Sequence, residues 1–140
     1  MHLKRINDKV SVAGQIGLAD VAAIKQAGFV AIVNNRPDGE APDQPPGEDI
    51  RKEAEKAGLV YHFIPVGRDG VSPSMLEATR AVLAHASGPV LCYCRSGTRS
   101  TTLWALSQAG ERPADEIIEA AAGAGYDISH LSAHLNKPSS

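Results

Sequence analysis

Three short apolar runs, separated by segments of helical periodicity, dominate the hydrophobic pattern of this chain. They lie at 29–33, 59–66 and 90–93, and each is mostly apolar rather than alternating, which is typical of strands covered on both faces. A glycine precedes each run, at Gly28, Gly58 and Gly88. We expect each glycine to end the preceding helix in a left-handed conformation. A smaller first strand is predicted at 10–16.

Apolar residues at three- and four-residue spacing predict a helix in each interval between the strands. The first follows Asp20 and the second runs through Ile50. The third has two candidate starts, either Ser72 followed by Pro73 or Ser74 in a capping box. Three more helices are predicted at 100–109, 113–122 and 129–135, and residues 138–140 are expected to fray. The alternation indicates one α/β domain over residues 1–140, with its core at about 10–135, in which helices flank a central, mainly parallel sheet of four to five strands.

The composition is that of an ordinary globular protein, with 43% hydrophobic and 21% charged residues and a formal net charge of −2. This balance gives no general attraction for nucleic acid or an anionic membrane surface. The two cysteines, Cys92 and Cys94, form neither a disulfide framework nor a set of metal ligands with the histidines. No long apolar segment indicates a membrane span or a signal peptide. We therefore expect a cytoplasmic protein without a metal or another cofactor.

The predicted topology brings polar segments from three loops to one edge of the sheet. In open α/β sheets, ligands bind beyond the carboxyl ends of the strands. The segments 34–39, 67–70 and 94–99 follow three predicted strands and should therefore converge. They contribute Arg36, which could attract an anionic substrate, and the carboxylates of Asp38 and Asp69.

The loop that follows the third apolar run has the composition of an anion-binding site around a reactive thiol. It begins at Cys94, where backbone N–H groups and the start of a helix favour a thiolate. Gly97 lets the backbone turn tightly, and Arg99 offers a planar fork to oxyanions. Ser100 could cap the helix or donate a hydrogen bond to the sulfur. The remaining residues of the predicted anion-binding loop are Arg95, Ser96 and Thr98.

The motif Cys-Arg-Ser-Gly-Thr-Arg-Ser, from Cys94 to Ser100, resembles the active loop of rhodanese-type sulfurtransferases. The order of strands, with Asp69 ahead of the third helix, is similar to that of dual-specificity cysteine phosphatases. Over about 10–131, including the segment 35–40 and the run Ala-Gly-Tyr-Asp at 124–127, the chain is identified as a member of the beta-lactamase-hydrolase-like phosphatase domains. The resemblance implies a cysteine-phosphatase-like fold.

The length of the loop leaves three functions open. Cysteine phosphatases place five residues between nucleophile and arginine, whereas four separate Cys94 from Arg99. This difference favours a sulfurtransferase that carries sulfur as a Cys94 persulfide from a small anionic or sulfane-sulfur substrate to a thiol acceptor. The alternative is a protein-tyrosine or dual-specificity-like phosphatase with a cysteinyl-phosphate, for which Asp69 is the natural general acid. The third is a thiol redox sensor, in which Cys92 could resolve an oxidised Cys94, although burial in the strand is favoured for Cys92.

Overall fold

A five-stranded, mainly parallel sheet forms the centre of the protein. The computed structural model describes residues 1–136, and the predicted fraying at 138–140 lies outside the described residues. The sheet has the order β1-β2-β5-β3-β4, in which β1 is antiparallel to β2 and the other neighbours are parallel. This confirms the expected α/β architecture. The strands are β1 (Lys4–Arg5), β2 (Val10–Ala13), β3 (Ala31–Asn34), β4 (Val60–Phe63) and β5 (Val90–Tyr93).

In the described residues 1–136, six helices cover the two faces of this sheet. They are α1 (Asp20–Gln26), α2 (Gly47–Lys56), α3 (Pro73–His85), α4 (Thr98–Ser107), α5 (Ala114–Gly123) and α6 (Ser132–Leu135), which a 3₁₀ turn at Ser129–Leu131 precedes. Alternate residues of β5 point to opposite faces. Leu91 and Tyr93 pack in the cluster formed with α1 and α2, while Val90 and Cys92 pack with Trp104 and the helices α3 to α6. Both clusters are apolar, so burial on two faces stabilises the central strand.

The starts of α3 and α4 decide where the loops of the site end. The Oγ of Ser72 accepts a hydrogen bond from the amide of Met75 at 3.3 Å, and Pro73 is the first residue of α3. Of the two predicted starts, the one at Ser72 is therefore confirmed and the one at Ser74 is wrong. Helix α4 begins at Thr98 rather than at the predicted Ser100, because Gly97 adopts the left-handed conformation that turns the chain into the helix.

Several details of the strands differ from the prediction. Strand β4 lies at the edge of the sheet and, within the described part of the chain, pairs with β3 alone, so Val60 and Phe63 are exposed rather than covered on both faces. Strand β2 ends at Ala13 instead of residue 16, and the short strand β1 was not predicted. Gly28 and Gly58 have positive φ as expected, but Gly88 does not. Helix α3 already ends in an extended residue, its C-cap Ala86, so Gly88 does not need to make a left-handed turn.

The carboxyl ends of three neighbouring strands lie level with one another. Asn34 at the end of β3 pairs in register with Phe63 of β4 and with Tyr93 of β5. The loops that follow these strands therefore leave the sheet at the same edge, which is the convergence expected of segments 34–39, 67–70 and 94–99. This edge holds the candidate site.

Candidate active site

Cys94 lies directly after the central strand β5 and is completely buried. Its amide donates a hydrogen bond to the carbonyl of Ala13 at 3.3 Å, which holds the start of the loop against β2. Its Sγ accepts a hydrogen bond from the amide of Gly97 at 3.1 Å. Within the described part of the chain this is the one backbone amide bonded to the sulfur, whereas several were expected. The loop is short and turns sharply at Gly97, so one N–H reaches the sulfur.

A tyrosine from the C-terminal part of the chain braces this turn. The hydroxyl of Tyr126 donates to the carbonyl of Ser96 at 2.8 Å, and a Cβ added at Gly97 would overlap that hydroxyl. Gly97 has φ of 90°, which a side chain would also disfavour. The Nζ of Lys4 lies 4.9 Å from the centre of the Tyr126 ring, close enough for a cation–π contact. Glycine is therefore required at position 97 both for its backbone conformation and for the close approach of Tyr126.

Arg99, on the first turn of α4, is held by a carboxylate that we did not predict as part of the site. Its Nη1 and Nη2 donate to the two carboxylate oxygens of Glu40 at 2.7 and 2.8 Å, and Nη1 also donates to the carbonyl of Val66 at 2.9 Å. Hydrogen bonding to Glu40 raises the pKa of Arg99, and the Cys94 sulfur lies near enough to contribute. The guanidinium is thus fixed beside the loop.

A count of donors shows what Arg99 can still bind. A guanidinium has five N–H groups, and these contacts use both on Nη1 and one on Nη2. Within residues 1–136 the Nε–H and the second Nη2–H have no partner, and these two point from the same edge of the planar group. Glu40 therefore holds the far end of Arg99 and leaves a two-donor fork for an oxyanion.

Glu40 also binds Arg36, which changes the interpretation of that residue. Arg36 is buried and donates through Nε to Glu40 at 2.9 Å and through Nη1 to the side chain of Gln15 at 3.0 Å. The hydrogen bond from Arg99 is the largest influence that lowers the pKa of Glu40, to about 2, and Arg36 adds to it. Arg36 was predicted to contact an anionic substrate. The structure instead places it in the buried support of Glu40 and Arg99.

Two further predicted residues have structural partners in place of the predicted ones. Ser100 is buried and donates its hydroxyl to the side-chain oxygen of Asn35 at 2.8 Å, so it neither caps α4 nor donates to the sulfur. Asn35, which was not predicted, also bonds the carbonyl of Ile64 through Nδ2 and thereby links α4 to the end of β4. The carboxylate of Asp38 accepts the amide of Gly47 at 2.7 Å and supports the start of α2.

The other predicted residues lie at the surface of the site. Arg95, Ser96 and Thr98 are exposed at the mouth of the loop, and the hydroxyl of Ser96 donates to that of Thr98 at 3.1 Å. Asp69 is exposed on the loop between β4 and α3. In residues 1–136 its carboxylate accepts no hydrogen bond, so it is available to a ligand.

Cys92 is separated from this chemistry by its burial in the sheet. Both cysteines are free, and Cys92 packs in the apolar cluster beneath α3 and α4. Burial, with a smaller contribution from Cys94, raises the pKa of Cys92 to about 12. The favoured prediction, burial in the strand, is confirmed for Cys92.

A groove of 890 Å³ runs from one side of the reactive loop along α4. Thr98 and Arg99 line it at the loop, and so do Gly67 and Gly70, the glycines on either side of the Arg68–Asp69 pair. No three His, Cys, Asp or Glu side chains of residues 1–136 are grouped so that they could hold a metal ion. Within the same residues, no helix has the length and apolar character that crossing a membrane requires.

Comparison with protein families and sequences gives a consistent match. The family model described as "Beta-lactamase hydrolase-like protein, phosphatase-like domain" matches residues 2–111. A beta-lactamase hydrolase-like protein of Agrobacterium fabrum is 35% identical over 99% of this chain and 33% of its own length. The corresponding protein of Xylella fastidiosa is 33% identical over 91% of this chain and 30% of its own. The chain thus spans about a third of the length of the curated relatives that it matches.

Two solved structures that resemble this chain are described as phosphatases. A Neisseria meningitidis protein described as a candidate phosphatase has a TM-score of 0.84 and 34% identity, with 97% of each chain covered. The phosphatase Tk-PTP in its active form has a TM-score of 0.68 over 95% of this chain and 92% of its own, and at 17% identity it shares the fold alone. These relatives support the phosphatase-like alternative. The expected sulfurtransferase, for which the loop length was the reason, finds no support among them.

Proposed function

The chain belongs to the phosphatase-like domain family of beta-lactamase hydrolase-like proteins, and on this basis we propose that it hydrolyses phosphomonoesters through a cysteinyl-phosphate on Cys94. One observation carries the proposal. Glu40 and Val66 bind Nη1 and one N–H of Nη2, so within residues 1–136 the other Nη2–H and the Nε–H of Arg99 have no partner, and Arg99 lies near enough to Cys94 for the sulfur to raise its pKa. Two parallel donors at this position match two oxygens of a phosphoryl group under attack by the thiolate.

The reaction proceeds in two displacements at phosphorus. In the first, the Cys94 thiolate forms an S–P bond while the ester P–O bond breaks, and the Asp69 carboxylic acid protonates the leaving oxygen. In the second, a water molecule attacks the cysteinyl-phosphate and transfers a proton to the Asp69 carboxylate. The S–P bond breaks, inorganic phosphate is released and the thiolate is regenerated. No oxidant or reductant is consumed.

The backbone of the loop supplies the remaining donors. In residues 1–136 the amides of Arg95, Ser96, Thr98 and Arg99 donate no hydrogen bond, so they are free for phosphoryl oxygens. The helix α4 begins at Thr98 and contributes the positive end of its dipole. Because Cys94 has no exposed surface, the proposal requires the side chains of the exposed residues Arg95 and Ser96 to turn aside when a phosphate binds, while the bonded backbone of the loop stays in place.

Phosphate release from p-nitrophenyl phosphate tests the proposal. We expect turnover by the protein and none by Cys94→Ser, with acid quenching of the wild type trapping one phosphoryl group on the peptide that contains Cys94. Cys92→Ala is the matched control, because that thiol is buried in the sheet and should not be needed. Equal rates for wild type and Cys94→Ser, or no release at any pH from mildly acidic to mildly alkaline, would contradict the proposal.

The same preparation should also be exposed to thiosulfate with a thiol acceptor. Addition of one sulfur to Cys94, followed by its transfer and without phosphate release in the parallel assay, would overturn phosphate hydrolysis in favour of the sulfurtransferase that the loop length favours. Reversible oxidation of Cys94 with neither activity would instead favour the redox sensor.

A further inference from the structure

The groove beside the reactive loop follows one side of α4. Thr98, Thr102 and Leu106 line it at spacings of four residues, which places them on one face of the helix, and Ala109 lines it just beyond the end of α4. The opposite wall comes from α3 and the loop before it. The groove therefore lies between α3 and α4, with Leu131 and His134 also in its lining, and one end of it is at the reactive loop.

The position of the groove relates it to the leaving group of the proposed reaction. Arg99, which would hold phosphoryl oxygens, lines one end. Gly67 and Gly70 line the same end, and between them lies Asp69, which would protonate the leaving oxygen. A group esterified to a phosphate between Arg99 and Asp69 would therefore start beside this end of the groove. The inference thus rests on the proposed function.

Apolar and polar side chains both line the groove, and the polar ones include Ser72, Thr98 and Thr102. The middle is lined by half-buried aliphatic side chains, namely Val71, Leu76, Leu106, Ala109 and Leu131. A sugar or nucleoside would place part of its hydroxyl groups against these aliphatic side chains, which is unfavourable. An alkyl chain would lose only apolar surface to water, and that is favourable.

The far end of the groove is polar and limits its apolar length. The Nε of Arg80 donates to the carbonyl of Ser107, at the last residue of α4, at 3.0 Å. Glu111 lines the same end, just beyond the helix, and His134 also contributes to the lining. Ser107 lies eight positions after Arg99 on the helix, which corresponds to about 12 Å. The apolar part is therefore long enough for a medium alkyl chain.

We propose that this groove is the leaving-group subsite of the enzyme and that it selects phosphomonoesters of an unbranched apolar chain over small or hydroxyl-rich esters. The alkyl chain of the ligand gains binding energy along the aliphatic walls. A chain that extends as far as Arg80 and Glu111 gains no more.

A series of n-alkyl phosphates from methyl to octyl tests this selectivity. We expect kcat/KM to rise by about fourfold for each methylene that enters the groove, the value for one CH₂ removed from water, and to level off when the chain reaches Arg80. Glucose 6-phosphate should be no better than methyl phosphate. A profile that does not change with chain length would overturn the proposal.

Two substitutions on α3 separate the groove from general effects on folding. Leu76→Asn places an amide in the wall and should flatten the chain-length profile. Leu83→Asn changes a residue that is likewise half-buried on the same helix and packs on the same core, but it does not line the groove. This control should keep the wild-type profile. If both variants flatten it equally, the groove is not the cause.

Binding of non-hydrolysable n-alkyl phosphonates, measured by calorimetry, keeps the inference separate from the proposed reaction. Affinity that rises with chain length in the wild type and not in Leu76→Asn supports the groove even if no phosphate is released from any ester. Phosphate release that depends on Cys94 but not on chain length leaves the proposed function in place and removes the subsite.

Discussion

The loop after β5 and the loop after β4 meet at the same edge of the sheet but are held very differently. The first is bonded from three other places, since Cys94 donates to Ala13, Gln15 donates to Arg95, and Tyr126 donates to Ser96. The second is bonded to neighbouring segments as far as Val66, but within residues 1–136 its tip at 67–70 has only a turn bond of its own, from the amide of Gly70 to the carbonyl of Gly67. Asp69 at its tip is exposed.

The difference means that the nucleophile Cys94 is held tightly in position, whereas the general acid Asp69 is held loosely. The reaction rate falls steeply when the nucleophile or the oxyanion donors are displaced, so their geometry must be fixed before the substrate binds. A general acid need only reach the leaving oxygen, and a mobile loop can bring it there. Substitutions in the first loop should therefore affect both folding and activity, and those in the second mainly activity.

The largest expected effect is that of Gly97→Ala, compared with Gly70→Ala. Both glycines have positive φ, but a Cβ at Gly97 would overlap Tyr126 while one at Gly70 would meet nothing within 4 Å. Urea unfolding should show a loss of about 2–4 kcal/mol for Gly97→Ala, from backbone strain and overpacking together. For Gly70→Ala the loss should be about 1–2 kcal/mol from strain alone. Phosphate release should disappear only in the first. Equal losses of stability would contradict the contrast between the loops.

Asp69→Asn should come next and should separate activity from stability. We expect kcat for alkyl phosphates to fall by roughly 10²- to 10⁴-fold because the leaving oxygen is no longer protonated. The free energy of unfolding should change by less than about 0.5 kcal/mol because the side chain is exposed. Asp38→Asn is the matched control on the same edge, with its carboxylate bonded to Gly47, and should keep kcat. A rate that is unaffected in Asp69→Asn would show that another group is the acid.

Glu40→Gln tests whether the carboxylate that holds Arg99, which lies outside the reactive loop, contributes to the stability of the fold. Loss of the carboxylate leaves buried Arg36 without its charge partner and frees Arg99, so unfolding should require about 1–3 kcal/mol less at neutral pH. Folding lowers the pKa of Glu40 to about 2, so its contribution is complete above its ordinary pKa and is lost as the pH falls towards 2. The stability gap between wild type and variant should therefore narrow in urea titrations at acidic pH. A constant gap would exclude this ion pair as its source.

The smallest effect is expected for Tyr126→Phe, which removes one hydrogen bond from the tightly held loop. The Ser96 carbonyl loses its donor, at a cost of about 1 kcal/mol in unfolding. We expect a several-fold lower kcat with little change in KM, because the loop is less well positioned rather than unable to bind. Tyr61→Phe removes a hydroxyl that is bonded to Asn34 and should keep kcat. An unchanged kcat in Tyr126→Phe would show that this hydrogen bond contributes to stability and not to catalysis.

The parts of the structure that follow from neighbouring residues could be predicted. The alternating apolar runs and helical segments specify the α/β fold, and Cys94, Gly97 and Arg99 are close together in the sequence. Ser72 with Pro73 marks the start of α3 through a local hydrogen bond. Such features need no knowledge of which strands become neighbours.

The remaining features depend on the order of the strands and on long-range contacts. The apolar run of β4 reads like that of β5, but β4 is exposed because it lies at the edge of the sheet. Glu40 lies 59 residues from Arg99 and Tyr126 lies 30 residues from Ser96 in the sequence. Nothing in the local pattern pairs these residues. Their roles follow only when the fold brings the segments together.

The brace from Tyr126 bears on how the domain should be produced. The family model ends at residue 111, whereas Tyr126 lies 15 positions further along the chain. A recombinant fragment trimmed to the matched region would lack the hydroxyl that supports Ser96, together with α5 and α6 and the core residues that they carry. Inactivity of such a fragment would reflect a missing support rather than missing chemistry, so expression boundaries should extend past residue 135.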